Sequence, residues 1–175
     1  MSIAQTNKKV VLVDVDIRKG TLSGIFSNVS GRMGLTHYLS GRTDGLDDII
    51  GASEEYGKLD IIFSGPVPPN PAELLLSERF DRLITELRKR YDYIIVDNVP
   101  AGMVADASIV NRVADLTIFV VRSGVMDRRQ LPELEKMYRE EQLCNMCVVL
   151  NGVSYERRSY GYGYGYGYGY GYGYG

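Results

Sequence analysis

The sequence predicts an α/β domain: a doubly wound, mostly parallel sheet with helices packed on its faces. Five short runs, "VVLV", "DIIF", "YIIV", "IFVV" and "CVVL", are continuously rich in Val and Ile. Strands buried on both faces read this way, whereas half-exposed strands alternate. Segments with helical spacing lie between the runs, and that alternation of strand and helix is the mark of a parallel sheet. The 175 residues fit one domain, and about the first 150 are long enough to bury a core.

In chain order, Val10 to Val13 of "KKVVLVDVD" is the first strand and ends in two acids. Residues 20–58 are rich in Gly, and two short helices are expected near "GLTHYLSG" and "GLDDIIG". "LDIIFSG" is a second strand, stopped by the four prolines of "GPVPPNP". Pro71 suits a first helical turn. Beyond it Leu76, Phe80, Leu83, Ile84 and Leu87 recur at helical spacing, with Ser77 a candidate break. "YDYIIVDN" is a third strand, "DASIVNRVA" a short helix and "DLTIFVVRSG" a fourth strand. "RRQLPELEKMYREEQL" is an amphipathic helix beginning near Pro132, and "MCVVLNGV" is the fifth strand.

Composition narrows the function classes. A net charge of −2 gives no overall pull towards nucleic acid or acidic lipid. Arg88, Lys89 and Arg90 read as a solvated helix end, where cations suit the dipole. Cys144 and Cys147 are spaced C-x-x-C, but no second pair accompanies them and the one histidine, His37, is distant in sequence. A zinc site needs three or four ligands. A thioredoxin-type pair follows a strand and opens a helix, whereas this pair leads into a strand. Two small buried thiols are therefore expected. No run of eighteen apolar residues occurs, and "MSIAQTNKK" lacks the features of a signal peptide.

In open parallel sheets, ligands bind beyond the carboxyl ends of the strands. The first strand ends in Asp14 and Asp16, followed by Arg18, Lys19 and Gly20; the third ends in Asp97; the fifth ends in Asn151. A single acid after a strand commonly caps a helix or turns the chain. Three carboxylates at matching strand ends also suit an oxygen-bound divalent cation, and Mg²⁺ takes one or two carboxylates plus phosphate oxygens. Arg18 and Lys19 add positive charge for phosphates.

These motifs resemble the bacterial tyrosine autokinases that serve capsule and exopolysaccharide synthesis and export. "VVLVDVDIRKG" resembles their Asp-x-Asp-x-Arg motif, and "YDYIIVDNVP" their Walker B strand. "SGPVPPNPAELL" is similar to their Gly-x-x-Pro-Pro-Asn-Pro-x-Glu-Leu-Leu stretch. The end of the chain, where Tyr and Gly alternate from Tyr160 to Gly175, resembles their tyrosine cluster.

The resemblance implies a P-loop NTPase fold and the cofactors ATP and Mg²⁺. It implies Asp14 as base or orienter for a tyrosine hydroxyl, with Arg18 beside it in the catalytic motif. Asp16 and Asp97, with Asp14, would serve the metal. Asn151 would lie near the adenine, with Arg18 and Lys19 on the nucleotide. Tyr160, Tyr162, Tyr164, Tyr166, Tyr168, Tyr170, Tyr172 and Tyr174 would be phosphoacceptors. Residues 1–154 would form a truncated kinase domain that lacks the P-loop strand, and 155–175 a disordered Tyr/Gly acceptor tail, presented to its own or a neighbouring subunit. Implied partners are a membrane polysaccharide co-polymerase segment or adaptor, a cognate tyrosine phosphatase, and further copies in a homo-oligomer. The implied location is the cytoplasmic face of the bacterial membrane.

The sequence departs from that pattern in two places. G-x-x-x-x-G-K-[ST] is absent: the single "GK", Gly57–Lys58, is followed by Leu59. In the family this P-loop lies one helix upstream of the Asp-x-Asp strand, and "MSIAQTNKK" resembles the last turns of that helix. Poor nucleotide affinity, unpaired strand groups and exposed apolar faces are therefore expected. Asn98 and Val99 also stand where the family usually has Thr or Ser and a proline. Two other readings stay open: a fragment of a partition- or cell-division-type ATPase, and a non-catalytic phosphoacceptor modified in trans.

Overall fold

The structure, a computed structural model, describes residues 3–26, 33–53, 58–99 and 109–153. The eight tail tyrosines lie outside the described residues, as do residues 106–108 of the expected "DASIVNRVA" helix; its residues 109–111 are helical.

The central strand is β1 (Val10–Asp14). It lies parallel to β3 (Leu59–Ile62) on one side and to β4 (Tyr93–Asp97) on the other. A strand not anticipated from the sequence, β2 (Ile50–Ser53), adds an antiparallel edge on β3. The predicted helix at "GLDDIIG" is instead a single 3₁₀ turn, Leu46–Asp48, after which Ile50 enters the sheet. Ile49 and Ile50 explain the difference, because β-branched residues pack better on a pleated surface than in a helix. The remaining strands, β5 (Ile118–Arg122) and β6 (Cys147–Asn151), form a separate parallel pair. The α/β, mostly parallel class holds, but among the described residues the sheet is divided.

Helix α1 (Leu35–Leu39) follows the glycine-rich segment. The long helix predicted from Pro71 is two helices, α2 (Pro71–Leu76) and α3 (Glu78–Arg90), separated at Ser77. Ser77 has extended backbone (ψ 152°), and its hydroxyl donates to the Leu74 carbonyl at 2.6 Å. Serine favours this local bond over helix continuation. The apolar stripe of α3, with Phe80, Leu83, Ile84 and Leu87, is buried against Val11 and Val13 of β1 and against Ile94 and Val96 of β4. On the opposite sheet face, Val10, Leu59 and Ile61 are covered by Ala4, Leu22 and Phe26. The basic end of α3 is exposed, as expected, and carries solvent-exposed ion pairs, Arg88 to Asp115, Lys89 to Glu86 and Arg90 to Asp47. No described helix is long and apolar enough to cross a membrane.

Helix α4 (Leu131–Arg139) packs Leu134 and Met137 on Phe119 and Val121 of β5. Arg112 anchors this second unit to the first by donating to the Leu75 carbonyl at 2.6 Å and pairing with Asp81. Asn111 accepts from the Cys144 amide at 2.5 Å and donates to the Gln142 carbonyl. The cysteines are not the buried pair expected: Cys144 is half-buried and Cys147 exposed. Cys147 begins β6, every residue of which is exposed among the described residues.

Phe80 is fully buried at the junction of α3 and the sheet. Phe80→Ala is expected to destabilise the chain by about 3–5 kcal/mol, read as a lowered urea midpoint. A change below about 1 kcal/mol would mean that α3 does not hold the core.

Candidate active site at the carboxyl ends of β1 and β4

The parallel register of β1 and β4 places Asp14 opposite Asp97. Beyond Asp14 the chain turns sharply. The Asp14 carboxylate accepts from the Asp16 amide at 3.1 Å, and the Asp16 carboxylate accepts from the Lys19 amide at 3.2 Å. The Asp16 carbonyl accepts from the Gly20 amide at 2.8 Å. Short acidic side chains fold back on their own backbone in this way. Gly20 closes the turn with a positive φ of 61°, and a Cβ there would lie 2.6 Å from the Ser64 hydroxyl. Glycine is required on both counts.

Asp14 and Asp16 are buried. Oδ2 of Asp14 is fully enclosed with no hydrogen-bond partner among the described residues. Burial pushes the Asp14 carboxyl above the usual carboxylate range. The amides of Leu22 and Asp16 oppose that shift, and the negative charges of Asp97 and Asp16 add to it. Asp97 is raised as well, first by burial and then by Asp16. Three acids thus share one electrostatic environment, which favours a cation or a proton there. They do not converge as a ready-made cage, and no cluster of three acidic, His or Cys side chains fit to hold a metal occurs among the described residues. Hard carboxylate oxygens and one orphaned buried oxygen suit Mg²⁺, which commonly takes few protein ligands and completes its shell with water and phosphate.

Arg18 and Lys19 project from the turn and are exposed. Arg18 also lines a small cavity of about 10 Å³ with Val15, Pro71, Leu75 and Asn98. The Pro-rich segment therefore reaches the acid turn through the start of α2. Asn98 accepts from the Val99 amide at 2.9 Å. Asn151 stands on the other sheet, in register with Arg122, and accepts from the Gly152 amide at 2.8 Å. The structure thus brings together Asp14, Asp16 and Asp97, sets Arg18 and Lys19 beside them, and places Asn151 at the end of β6. Sequence reasoning missed Ser64, whose hydroxyl packs against Gly20 of the acid turn. It follows the rule that strand ends line the site, since it stands just beyond β3.

The raised acids set the sign of a pH dependence. A carboxyl whose folded pKa lies above its unfolded value contributes stability that is complete below the unfolded pKa. That stability is lost as pH rises through the folded one. Asp14→Asn is therefore expected to raise Tm at pH 7 by roughly 2–4 °C, the response of a domain this size to about 1 kcal/mol. The gain should vanish near pH 3–4, where the native carboxyl is already protonated. A variant less stable than the parent at pH 7, as judged by thermal melts, would contradict a raised Asp14.

No protein-family model matches the chain. Over 161 residues it is 36% identical to the tyrosine-protein kinase CpsD of Streptococcus agalactiae serotype Ia, covering 92% of this chain and 68% of that protein. It is 37% identical over 153 residues to the tyrosine-protein kinase Etk of Escherichia coli K12, covering 86% of this chain and 20% of that protein. Among solved structures, the kinase domain of Escherichia coli Etk superposes with a TM-score of 0.80 at 36% identity. That match covers 94% of this chain and spans 63% of the Etk kinase domain. The septum site-determining protein MinD of Pyrococcus horikoshii superposes with a TM-score of 0.65 at 20% identity, a likeness of fold alone. The match to CpsD, 36% identity over 92% of this chain and 68% of that protein, shows the family: the chain belongs to the bacterial tyrosine-protein kinases of the CpsD and Etk type.

Proposed function

We propose that this chain is the acid-bearing and phosphoacceptor part of an ATP-dependent tyrosine autokinase that regulates capsule or exopolysaccharide synthesis. The observation that carries the reading is the Asp14–Asp97 pair, set side by side at the carboxyl edge of the sheet, with Asp14 Oδ2 unpartnered among the described residues. Phosphoryl transfer requires positioning and charge neutralisation more than covalent chemistry by the protein. When bound, ATP with Mg²⁺ would supply the transferable phosphoryl group and positive charge to offset the carboxylates.

The chain's own residues divide the work as follows. Asp16 and Asp97 would hold the metal's protein side. Asp14, with its carboxyl raised by burial, would accept the hydrogen bond of an incoming tyrosine hydroxyl and then its proton, a better match for that task than an ordinary carboxylate. Arg18 and Lys19 would face the phosphate oxygens, and Asn151 the base. Tyr160 through Tyr174 would be the acceptors, on the same chain or a neighbour. Each phosphate adds about −1.5 to −2 charges, enough to drive neighbouring tails apart. A membrane co-polymerase segment and a cognate phosphatase complete the proposal, which places the site at the cytoplasmic face of the membrane.

The sequence lacks G-x-x-x-x-G-K-[ST], the loop whose backbone amides, Lys and hydroxyl would cradle the phosphates. This favours a second reading in which the chain is phosphorylated in trans. The two are separated by incubating the purified chain with ATP–Mg²⁺ alone and then with an intact relative, blotting for phosphotyrosine each time. Signal in the second tube alone is expected, and it should disappear when the eight tail tyrosines are changed to Phe. Equal signal in the first tube would show self-sufficient transfer and overturn the requirement for a phosphate-binding loop.

A further inference from the structure

Between β3 and α2 the chain runs through "SGPVPPNP", and residues 64–70 form neither helix nor strand. Both ends of this stretch are set against the acid turn. Ser64 packs against Gly20, and Pro71 shares with Arg18 the lining of the small cavity. Between those two points Pro66, Val67 and Pro69 are exposed, Val67 to 66%. An apolar surface thus stands in water at the rim of the candidate active site.

The hydrogen-bonding capacity of that surface is one-sided. Pro66, Pro68 and Pro69 have no N–H to donate. Among the described residues, no donor reaches the carbonyls of Pro66, Val67, Pro68 or Pro69. Residues 65–69 carry no charge. The surface therefore offers flat ring faces, one branched aliphatic side chain and free acceptors. P-x-x-P segments of this kind pair with aromatic side chains. A phenol suits them in particular, because its ring packs on apolar faces while its O–H donates to a carbonyl.

The chain itself holds the complement. Residues 160–175 consist of Tyr and Gly alone, so this part of the tail brings rings and O–H donors without charge. The described residues end at Val153, and the residues beyond it, 154–175, reach about 70 Å when extended. A domain of this size has a radius of gyration of roughly 16 Å, so the tail of the same chain or of a second copy reaches the segment.

We infer that residues 66–69 are the docking platform for the unphosphorylated Tyr/Gly tail. Tyrosine rings pack on Val67 and the prolines, their hydroxyls donate to the free carbonyls, and neighbouring tyrosines are held beside the acid turn. This docking rests on the reading of the tail as phosphoacceptor and adds the surface that selects it. It also carries its own release. A phosphate replaces the hydroxyl donor with acceptor oxygens and about −1.5 to −2 charges, which carbonyls without an N–H partner disfavour.

The test uses the full chain with its eight tail tyrosines changed to Ser, titrated with a fluorescently labelled peptide of residues 160–167 and no nucleotide. Anisotropy reads the affinity, and the NMR shifts of the Val67 methyls read the place. The peptide is expected to bind saturably and to move those methyls. Val67→Asp should weaken binding by at least about tenfold, the scale of one lost aliphatic contact, and Val67→Ile should retain it. A peptide with its tyrosines phosphorylated should bind at least about tenfold more weakly, and one with Phe for Tyr should also weaken. Binding that leaves the Val67 methyls unmoved overturns the docking. So does equal affinity for Val67→Asp, for the phosphorylated peptide or for a Leu-Gly peptide of the same length. The peptide comparisons use the unsubstituted platform, so they decide even where Val67→Asp fails to fold. A tail that docks here yet takes no phosphate from an intact relative overturns the acceptor reading and leaves the docking standing.

Discussion

The parallel pairing of β1 with β4 is the constraint on which the rest of the site depends. It runs from Val10 opposite Tyr93 to Asp14 opposite Asp97. It is clamped at both ends. At the start, the Lys9 carbonyl accepts from the Asp92 and Tyr93 amides, and the Lys9 amide donates to the Asp92 carboxylate at 2.9 Å. At the far end, the Val15 amide donates to the Asp97 carbonyl at 2.9 Å. Between the clamps, Val11, Val13, Ile94 and Val96 all face α3. A slip of one residue would turn one strand's apolar set to the wrong face. The packing that stabilises the core is therefore what brings two carboxylates together.

That juxtaposition is unfavourable in itself. Burial raises the proton affinity of both carboxyls; the charges of Asp97 and Asp16 add to the effect at Asp14, and the charge of Asp16 adds to it at Asp97. The chain offsets some of this locally by aiming the Asp16 amide at Asp14 and the Lys19 amide at Asp16. Among the described residues it leaves one Asp14 oxygen without a partner. An unsatisfied buried oxygen costs stability, and such costs persist where function requires them. Among the described residues the division of the sheet is a second unfavourable feature, since it leaves apolar residues of β5 and β6 exposed.

Much of this was legible in the sequence because short-range patterns dictate it. The Val/Ile runs located β1, β3, β4, β5 and β6, and the spacing of Phe80, Leu83, Ile84 and Leu87 located α3 with its break at Ser77. The acids stood out because the strands end where they begin. What escaped the sequence depended on distant contacts. Strand β2 forms because Ile50 and Ala52 find β3 beside them, which no local rule reveals. The exposure of Cys147 depends on tertiary cover of β6, which none of the described residues supplies. Ser64 matters because Gly20, forty-four residues away in sequence, packs against it.

The central claim is that Asp14 and Asp97 act as one electrostatic unit poised for a cation. Carbon-13 NMR of the two side-chain carboxyls, followed through pH with and without Mg²⁺, tests it most directly. Both carboxyls should titrate above the ordinary aspartate value of about 3.9. Replacing either by Asn should lower the other, and Mg²⁺ should shift both downwards. Two independent titrations at ordinary values, unmoved by Mg²⁺, would contradict it.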